Sequence, residues 1–291
     1  EEILKALMQL FAIISKQDDG VTDAKREYVR VFLRQQISED LVEEYLALFE
    51  KFAEEKKRKR KSDAASDEPE KKLTSVKDSV RILGICKKIN KTLTKQQKVV
   101  VLMRLFELVN ADRNFSEQRI AIIDTAANVF NVTKEEYDLL ETFVRFDQPQ
   151  ENNINEVLLI TGHPEKYENH PKVISSDHLA GNILVLRIPS VNLYFLRYTG
   201  GHDVKLNGFV LNKQRIYLFA NGSTVKPPLD KPIYYSDVAS RYLTDSSTTR
   251  LSFEAKDIEY RFAKGNLGVR GVTIAEGPGS LIGIKIGRAH V

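Results

Sequence analysis

A chain of 291 residues, 42% hydrophobic and 29% charged, has material for about two domains with real cores. Its 44 Lys and Arg against 40 Asp and Glu leave a formal charge of +4, much of it in one tract, Lys56–Lys61, so the folded parts are near neutral and lack a nucleic-acid footprint. No apolar run reaches the roughly 18–20 residues that span a bilayer, and one cysteine, Cys86, excludes an intrachain disulfide or a Cys-rich metal site.

That cysteine usage fits a reducing cytoplasm. The chain opens Glu1-Glu2-Ile3 without a basic start or a small-residue cleavage site. No signal peptide is read, and the N-terminus is expected to be trimmed or processed. The first part patterns as helix. Ile3, Leu4, Leu7, Met8, Leu10, Phe11 and Ile14 recur at helical spacing, and Asp18-Asp19-Gly20 stops the run. Thr22 caps a second helix bearing Tyr28, Val29, Phe32 and Leu33. Ser38, followed by Glu39 and Asp40, starts a third with Leu41, Tyr45, Leu48, Phe49 and Phe52 on its apolar face.

Residues 54–74 lose all periodicity, running from the basic tract through Ser62–Glu70. Such a segment buries too little apolar surface to offset chain entropy, so a mobile, solvated linker is expected there. Helical patterning returns at Ser75. Thr94 with Gln97 and Thr133 with Glu136 have capping-box spacing, the second opening a helix with Tyr137, Leu140 and Phe143. The helices repeat. Leu7-Met8-Gln9-Leu10-Phe11 matches Leu102-Met103-Arg104-Leu105-Phe106, and each copy continues into a polar turn and a new helix, at Asp18–Asp23 and Asp112–Glu117. Duplicated helical hairpins packed face to face account for this.

From Gln148-Pro149 the character changes to short β-rich runs: 157–160, 183–188, 193–198 and 215–219, separated by Gly, Asn and Pro turns. This spacing predicts a β-sandwich. A further segment opens at Thr248, with strands expected at Leu251–Phe253 and Ile258–Phe262, a turn at Lys264-Gly265-Asn266, and more strands to Ile284. His163, His170, His178 and His202 show no metal-ligand spacing, and no nucleophile–base pair is read, so no catalytic residue is assigned.

The duplicated helices and the acidic turn Asp18-Asp19-Gly20 with Asp23 resemble the TerB-like family named for tellurite resistance, over residues 3–145 apart from the loop. The resemblance implies acidic positions that bind a divalent metal, here Asp18, Asp19, Asp23, Asp112 and Glu117. The second turn departs from the pattern, with Arg113 and Asn114 in place of an Asp-Gly. The alternative is that these acids serve only as helix-start residues. Alternating EF-hand ligands are absent.

Asp203-Val204-Lys205-Leu206-Asn207-Gly208 and Arg215–Ser223 resemble a divergent forkhead-associated (FHA) domain. In that family the Asn-Gly turn supports a phosphothreonine-binding loop. The Gly-Arg and Ser-x-x-His loops are not recognisable, Ser175-Ser176-Asp177-His178 being a poor substitute. No Arg supplies a bidentate phosphate contact. The resemblance then implies a scaffold with a protein partner, and Asn207-Gly208 equally suits an ordinary hairpin.

Leu251–Phe262 and Val269–Ile284 resemble the opening strands of an ATP-binding cassette (ABC) ATPase. The resemblance implies that Phe262 stacks on adenine and that a Walker A loop, Gly-x-x-x-x-Gly-Lys-Ser/Thr, follows Ile284. Instead the chain reads Lys285–Val291, of which Ile286–Val291 is what a common sequencing adapter encodes.

The expected fold class is therefore multidomain α + β. A duplicated all-α helical domain (1–147) is followed by a small FHA-like β-sandwich (152–245), the truncated first strands of an ABC ATPase (248–284) and an adapter-derived tail (285–291). The expected function is an N-terminal cytoplasmic regulatory region of a bacterial ABC transporter, itself non-catalytic. ATP and Mg would bind in the full-length parent, which would reach the membrane through its missing C-terminal part and work with a dimer partner. The alternative is a TerB-like metal- or partner-binding stress-response module without transport.

Overall fold

In the computed structural model the chain divides into two compact units, Glu1–Asn152 with Ile188–Asn192, and Asn153–Arg187 with Leu193–Val291. The structure describes residues 2–17, 20–54, 76–150, 154–213, 215–243, 253–263, 265–277 and 283. The loop read at 54–74 lies outside these residues except for Glu54, which is the last residue of a helix. No described helix is long and apolar enough to cross a membrane.

The first unit is helical: α1 (Glu2–Ser15), α2 (Asp23–Arg34), α3 (Glu39–Glu54), α4 (Val76–Thr92), α5 (Lys95–Asn110), α6 (Glu117–Val129) and α7 (Lys134–Arg145). Thr22, Thr94 and Thr133 cap helices where the sequence puts them, and Ser116 is a further cap that it did not single out. Thr22, Thr94, Ser116 and Thr133 each accept the backbone N–H three residues on, and Thr94 with Gln97 forms the complete reciprocal box.

The repeated segments form the two most deeply buried helices. In α1 every residue from Leu10 to Ser15 is buried, and α5 buries Val99, Leu102, Met103, Leu105, Phe106, Leu108 and Val109. A helix that is apolar nearly all round needs neighbours on several sides. Accordingly α1 packs on α3, α4 and α5, while α5 also meets α2, α6 and α7. Equivalent phenylalanines anchor the two copies. Phe11 makes edge contacts with Tyr28 and Phe32 at 6.1 and 5.4 Å, and Phe106 meets Tyr137 edge-on at 5.2 Å. Such pairs add about 0.5–1.5 kcal/mol each beyond their burial.

In the second unit two sheets share one core. One has the order β2-β1-β3-β4-β7, built from β1 (Val157–Thr161), β2 (Val173–Ser175), β3 (Asn182–Ile188), β4 (Leu193–Tyr198) and β7 (Ile216–Leu218). The other has the order β6-β5-β8-β9, from β5 (Lys205–Leu206), β6 (Phe209–Val210), β8 (Thr224–Lys226) and β9 (Ile233–Tyr234). Leu158, Val185 and Leu196 of the first sheet and Leu206, Val225 and Ile233 of the second belong to the same buried cluster.

Two features go beyond the β-sandwich expected from the strand pattern. The pair β1–β2 is parallel, joined by a crossover that carries a 3-10 turn, Pro164–Tyr167. A helix, α8 (Tyr235–Leu243), follows β9 and closes the core with Val238 and Tyr242. Its apolar residues 235, 238, 239, 242 and 243 have helical spacing, a signal that the strand-by-strand reading passed over.

The last described element is a hairpin of β10 (Phe253–Arg261) and β11 (Leu267–Glu276). The sequence suggested two strands where β10 is one. A bulge joins them: the register steps from Ala255↔Ile274 to Ile258↔Val272, and Asp257 takes a left-handed φ of 52°. An extra residue on one strand turns an apparent break into a bend. Of the stretch past Gly277, where a further strand to Ile284 was expected, only Gly283 is described, and 285–291 lie outside the described residues.

Cys86 sits on the buried face of α4, and burial pushes its thiol up to about 12. A thiol that stays protonated is a poor nucleophile. Native protein at pH 8 should react slowly with Ellman's reagent and rapidly in denaturant; fast native labelling would contradict this packing.

Candidate functional site

The acidic turn of the second helical copy carries a dense polar site among the described residues of the first unit. Asp112 lies in the turn between α5, which ends at Asn110 with Ala111 as its C-cap, and α6. Its Oδ2 lies 2.8 Å from Lys25 Nζ, and its Oδ1 lies 3.0 Å from an Arg119 guanidinium nitrogen. Both cationic side chains are fully buried, while the Asp112 side chain keeps 13% exposure. The Asn114 N–H donates to Oδ1 at 3.3 Å, fixing the carboxylate over its own turn. Arg113 between them takes a left-handed φ of 54°.

The two cations come from equivalent places in the repeat. Lys25 stands three residues after the cap Thr22, and Arg119 three after the cap Ser116. Each reaches into the other copy. Lys25, from α2, crosses to Asp112 and also donates to the Gly20 carbonyl at 3.3 Å. Arg119, from α6, donates to the Asn114 carbonyl at 2.9 Å and to the Gln17 carbonyl at 3.4 Å. Among the described residues the site is a clamp between copies, with one carboxylate, two cations and three backbone carbonyls.

Among the described acids that the family resemblance implies, Asp112 enters this clamp and Asp23 and Glu117 do not. Asp23 is 99% exposed and pairs with Arg26 at 2.7 Å. Glu117 is exposed in the first turn of α6. Asp18 and Asp19 lie outside the described residues. Among the described residues no group of three or more His, Cys, Asp or Glu side chains is placed to hold an ion. Sequence reading missed Lys25 and Arg119. The available signal was a cation at the third position after a hydroxyl cap in both copies, where the helix dipole favours an acid.

A second buried polar group lies along α5. Tyr28 Oη donates to the Arg104 carbonyl and to Glu107 Oε2, both at 3.2 Å, and Arg104 pairs with Glu107. An open groove of about 720 Å3 runs among α1, α3 and α4, with Lys5, Lys51 and Lys88 against Glu44 in its lining and Tyr45 and Ile85 supplying apolar surface.

In the second unit, Ser176, His178 and Asp230 come together although the sequence shows no such pairing. Ser176 Oγ donates to Asp230 Oδ2 at 2.5 Å, His178 N–H donates to the same oxygen at 3.0 Å, and His178 Nδ1 meets Oδ1 at 2.7 Å. The order is wrong for a hydrolytic triad. There the imidazole bridges hydroxyl and carboxylate, whereas here the hydroxyl is spent on the carboxylate. The trio clasps two loops.

Asn207 and Gly208, with φ of 51° and 90°, form the two-residue turn between β5 and β6, and Asn207 Oδ1 accepts the Thr224 N–H at 2.8 Å. Phe262, at the end of β10, is 50% exposed and meets Tyr260 edge-on at 5.2 Å. Its ring covers Gly268, where a Cβ would lie 2.5 Å from Phe262 Cε2.

Residues 4–142 match the family model described as tellurite resistance protein TerB. No curated protein and no solved structure matches the chain.

Two outcomes follow from these charges. Burial opposes ionisation of Asp112, yet the hydrogen bond and charge of Lys25, with the charge of Arg119, hold its pKa below the ordinary carboxylate value. The stabilisation is thus present above the unfolded value of about 3.9 and is lost as pH falls through the lower folded value. Asp112→Ala should cost about 3–5 kcal/mol in urea unfolding at pH 7, because it strands buried cations, and the difference should shrink in acid. A cost under about 1 kcal/mol, the level of an exposed pair, would contradict the clamp.

His178 is raised above its ordinary value by the Asp230 hydrogen bond and then its charge. That bond contributes below the unfolded histidine value of about 6.5 and is lost as pH rises through the folded one. An NMR titration should find the His178 midpoint above about 6.5 and see it return in Asp230→Asn; the same midpoint in both proteins would remove the clasp.

Proposed function

We propose that the chain is a binding module of the tellurite stress response, with a TerB helical unit over residues 4–142 as its working part. The observation that carries this reading is the family match over that unit. Its internal wiring agrees with it. The polar groups described in the helical unit hold helices together, as Lys25, Asp112 and Arg119 do. The groove among α1, α3 and α4 offers lysines around apolar surface, chemistry suited to an acidic segment of a partner protein. In the second unit, the Asn207-Gly208 turn beside the exposed Phe209 gives the FHA-like reading a surface for a protein partner.

A second reading places these units ahead of the nucleotide-binding domain of an ABC transporter, with ATP and Mg bound in that larger protein. It is favoured by the β10–β11 hairpin. Two long antiparallel strands present Phe253, Ile258, Tyr260 and Leu267 at the surface, and Phe262 directly follows the first strand with an exposed ring able to stack on a base. The coding DNA beyond Ile284 separates the readings. A Gly-x-x-x-x-Gly-Lys-Ser/Thr sequence supports the transporter, and a stop codon there eliminates it.

Deleting the gene in its host should lower the tellurite concentration tolerated, and the wild-type gene should restore it. Lys5→Glu/Lys51→Glu, which alters exposed groove residues and leaves the core intact, should restore it less well. Unchanged tolerance in the deletion strain would reject the stress-response reading.

A further inference from the structure

We propose that Lys25 and Arg119 are built-in counter-cations of Asp112, standing where a hard metal ion would otherwise be held, so that the clamp between the helical copies works without metal. The oxygens around the two side chains carry the argument. Two carboxylate oxygens of Asp112 and the carbonyls of Gly20, Asn114 and Gln17 all converge on Lys25 and Arg119, at 2.8 to 3.4 Å. Carboxylate plus backbone carbonyl is the donor set that a calcium ion takes. Here each of those oxygens faces a protein N–H.

The positions of the cations point the same way. A positive side chain in the first turn of a helix opposes the helix dipole. Both copies nevertheless put one there, at the third residue after the cap. Two equivalent departures from local preference at one site mark a demand of the tertiary structure. That demand is positive charge against Asp112. A divalent ion brought to this carboxylate would meet two fixed cations, each within about 3 Å of its oxygens, and their repulsion would exclude it. This inference concerns the internal construction of the helical unit and holds whichever functional reading applies.

The test uses the whole chain. Thermal unfolding is followed with excess EDTA and with CaCl2, MgCl2 or MnCl2 added in turn, for wild type and Asp112→Asn. The expected result is a wild-type midpoint that no divalent ion raises. A rise that Asp112→Asn abolishes would overturn the proposal, whereas a rise retained in Asp112→Asn places the ion away from this carboxylate and supports it. A double-mutant cycle between Lys25→Met and Asp112→Asn then measures the clamp by urea unfolding. Coupling of about tenfold or more in the folding equilibrium constant is expected. Additive effects would overturn the proposal even if no metal binds.

Discussion

Lys25 and Arg119 are both fully buried, and a buried cation is tolerated only if oxygens surround it. That requirement shapes the helical unit. Meeting it brings the turn after α1 and the turn after α5 to the same point, each supplying carbonyls to a cation from a helix of the repeat. The apolar faces of α1 and α5 would pack in more than one register on hydrophobicity alone, since dispersion contacts carry little direction. Charge-assisted bonds of defined length restrict the choice. A buried ion cluster is a weak source of net stability, because desolvation offsets most of its attraction. Its contribution here is to relate one copy to the other.

The duplication makes this arrangement reciprocal without making it identical. Thr22 and Ser116 cap equivalent helices, and Lys25 and Arg119 occupy equivalent sites. The apolar partners differ: Phe11 packs on Tyr28 and Phe32, whereas Phe106 packs on Tyr137. Symmetry sets the placement of the polar groups, and each half-core is then filled by what its own helices supply. The match to the TerB family over residues 4–142 covers this repeat, including both cation positions and Asp112.

The second unit achieves its closure differently. Its two sheets are short, several strands being of two or three residues, so the core needs a lid. Helix α8 supplies it. Tyr242 Oη donates to the carbonyls of Glu156 and Val185 at 3.2 and 3.0 Å while its ring packs on Tyr194. Asp230 gathers Ser176 and His178 from a distant loop by the same logic, a single carboxylate satisfying several donors. These hydrogen bonds join residues more than fifty positions apart in sequence, and no local pattern announces them.

The sequence by itself determined the helices of the first unit, the caps Thr22, Thr94 and Thr133, the repeat and the longer β strands, because periodicity and capping are local properties. Thr94 with Gln97 is legible in four residues and is realised as a full capping box. Helix α8 was legible by the same rule, its apolar spacing being present in the chain. The candidate site was half legible. Asp112 stood out as an acid in a turn, but Lys25 and Arg119 were not singled out. Only the tertiary structure decided what Asp112 faces. Whether a carboxylate meets a metal ion, water or two buried cations depends on side chains that arrive from the other copy, and Lys25 is separated from Asp112 by 87 positions of chain.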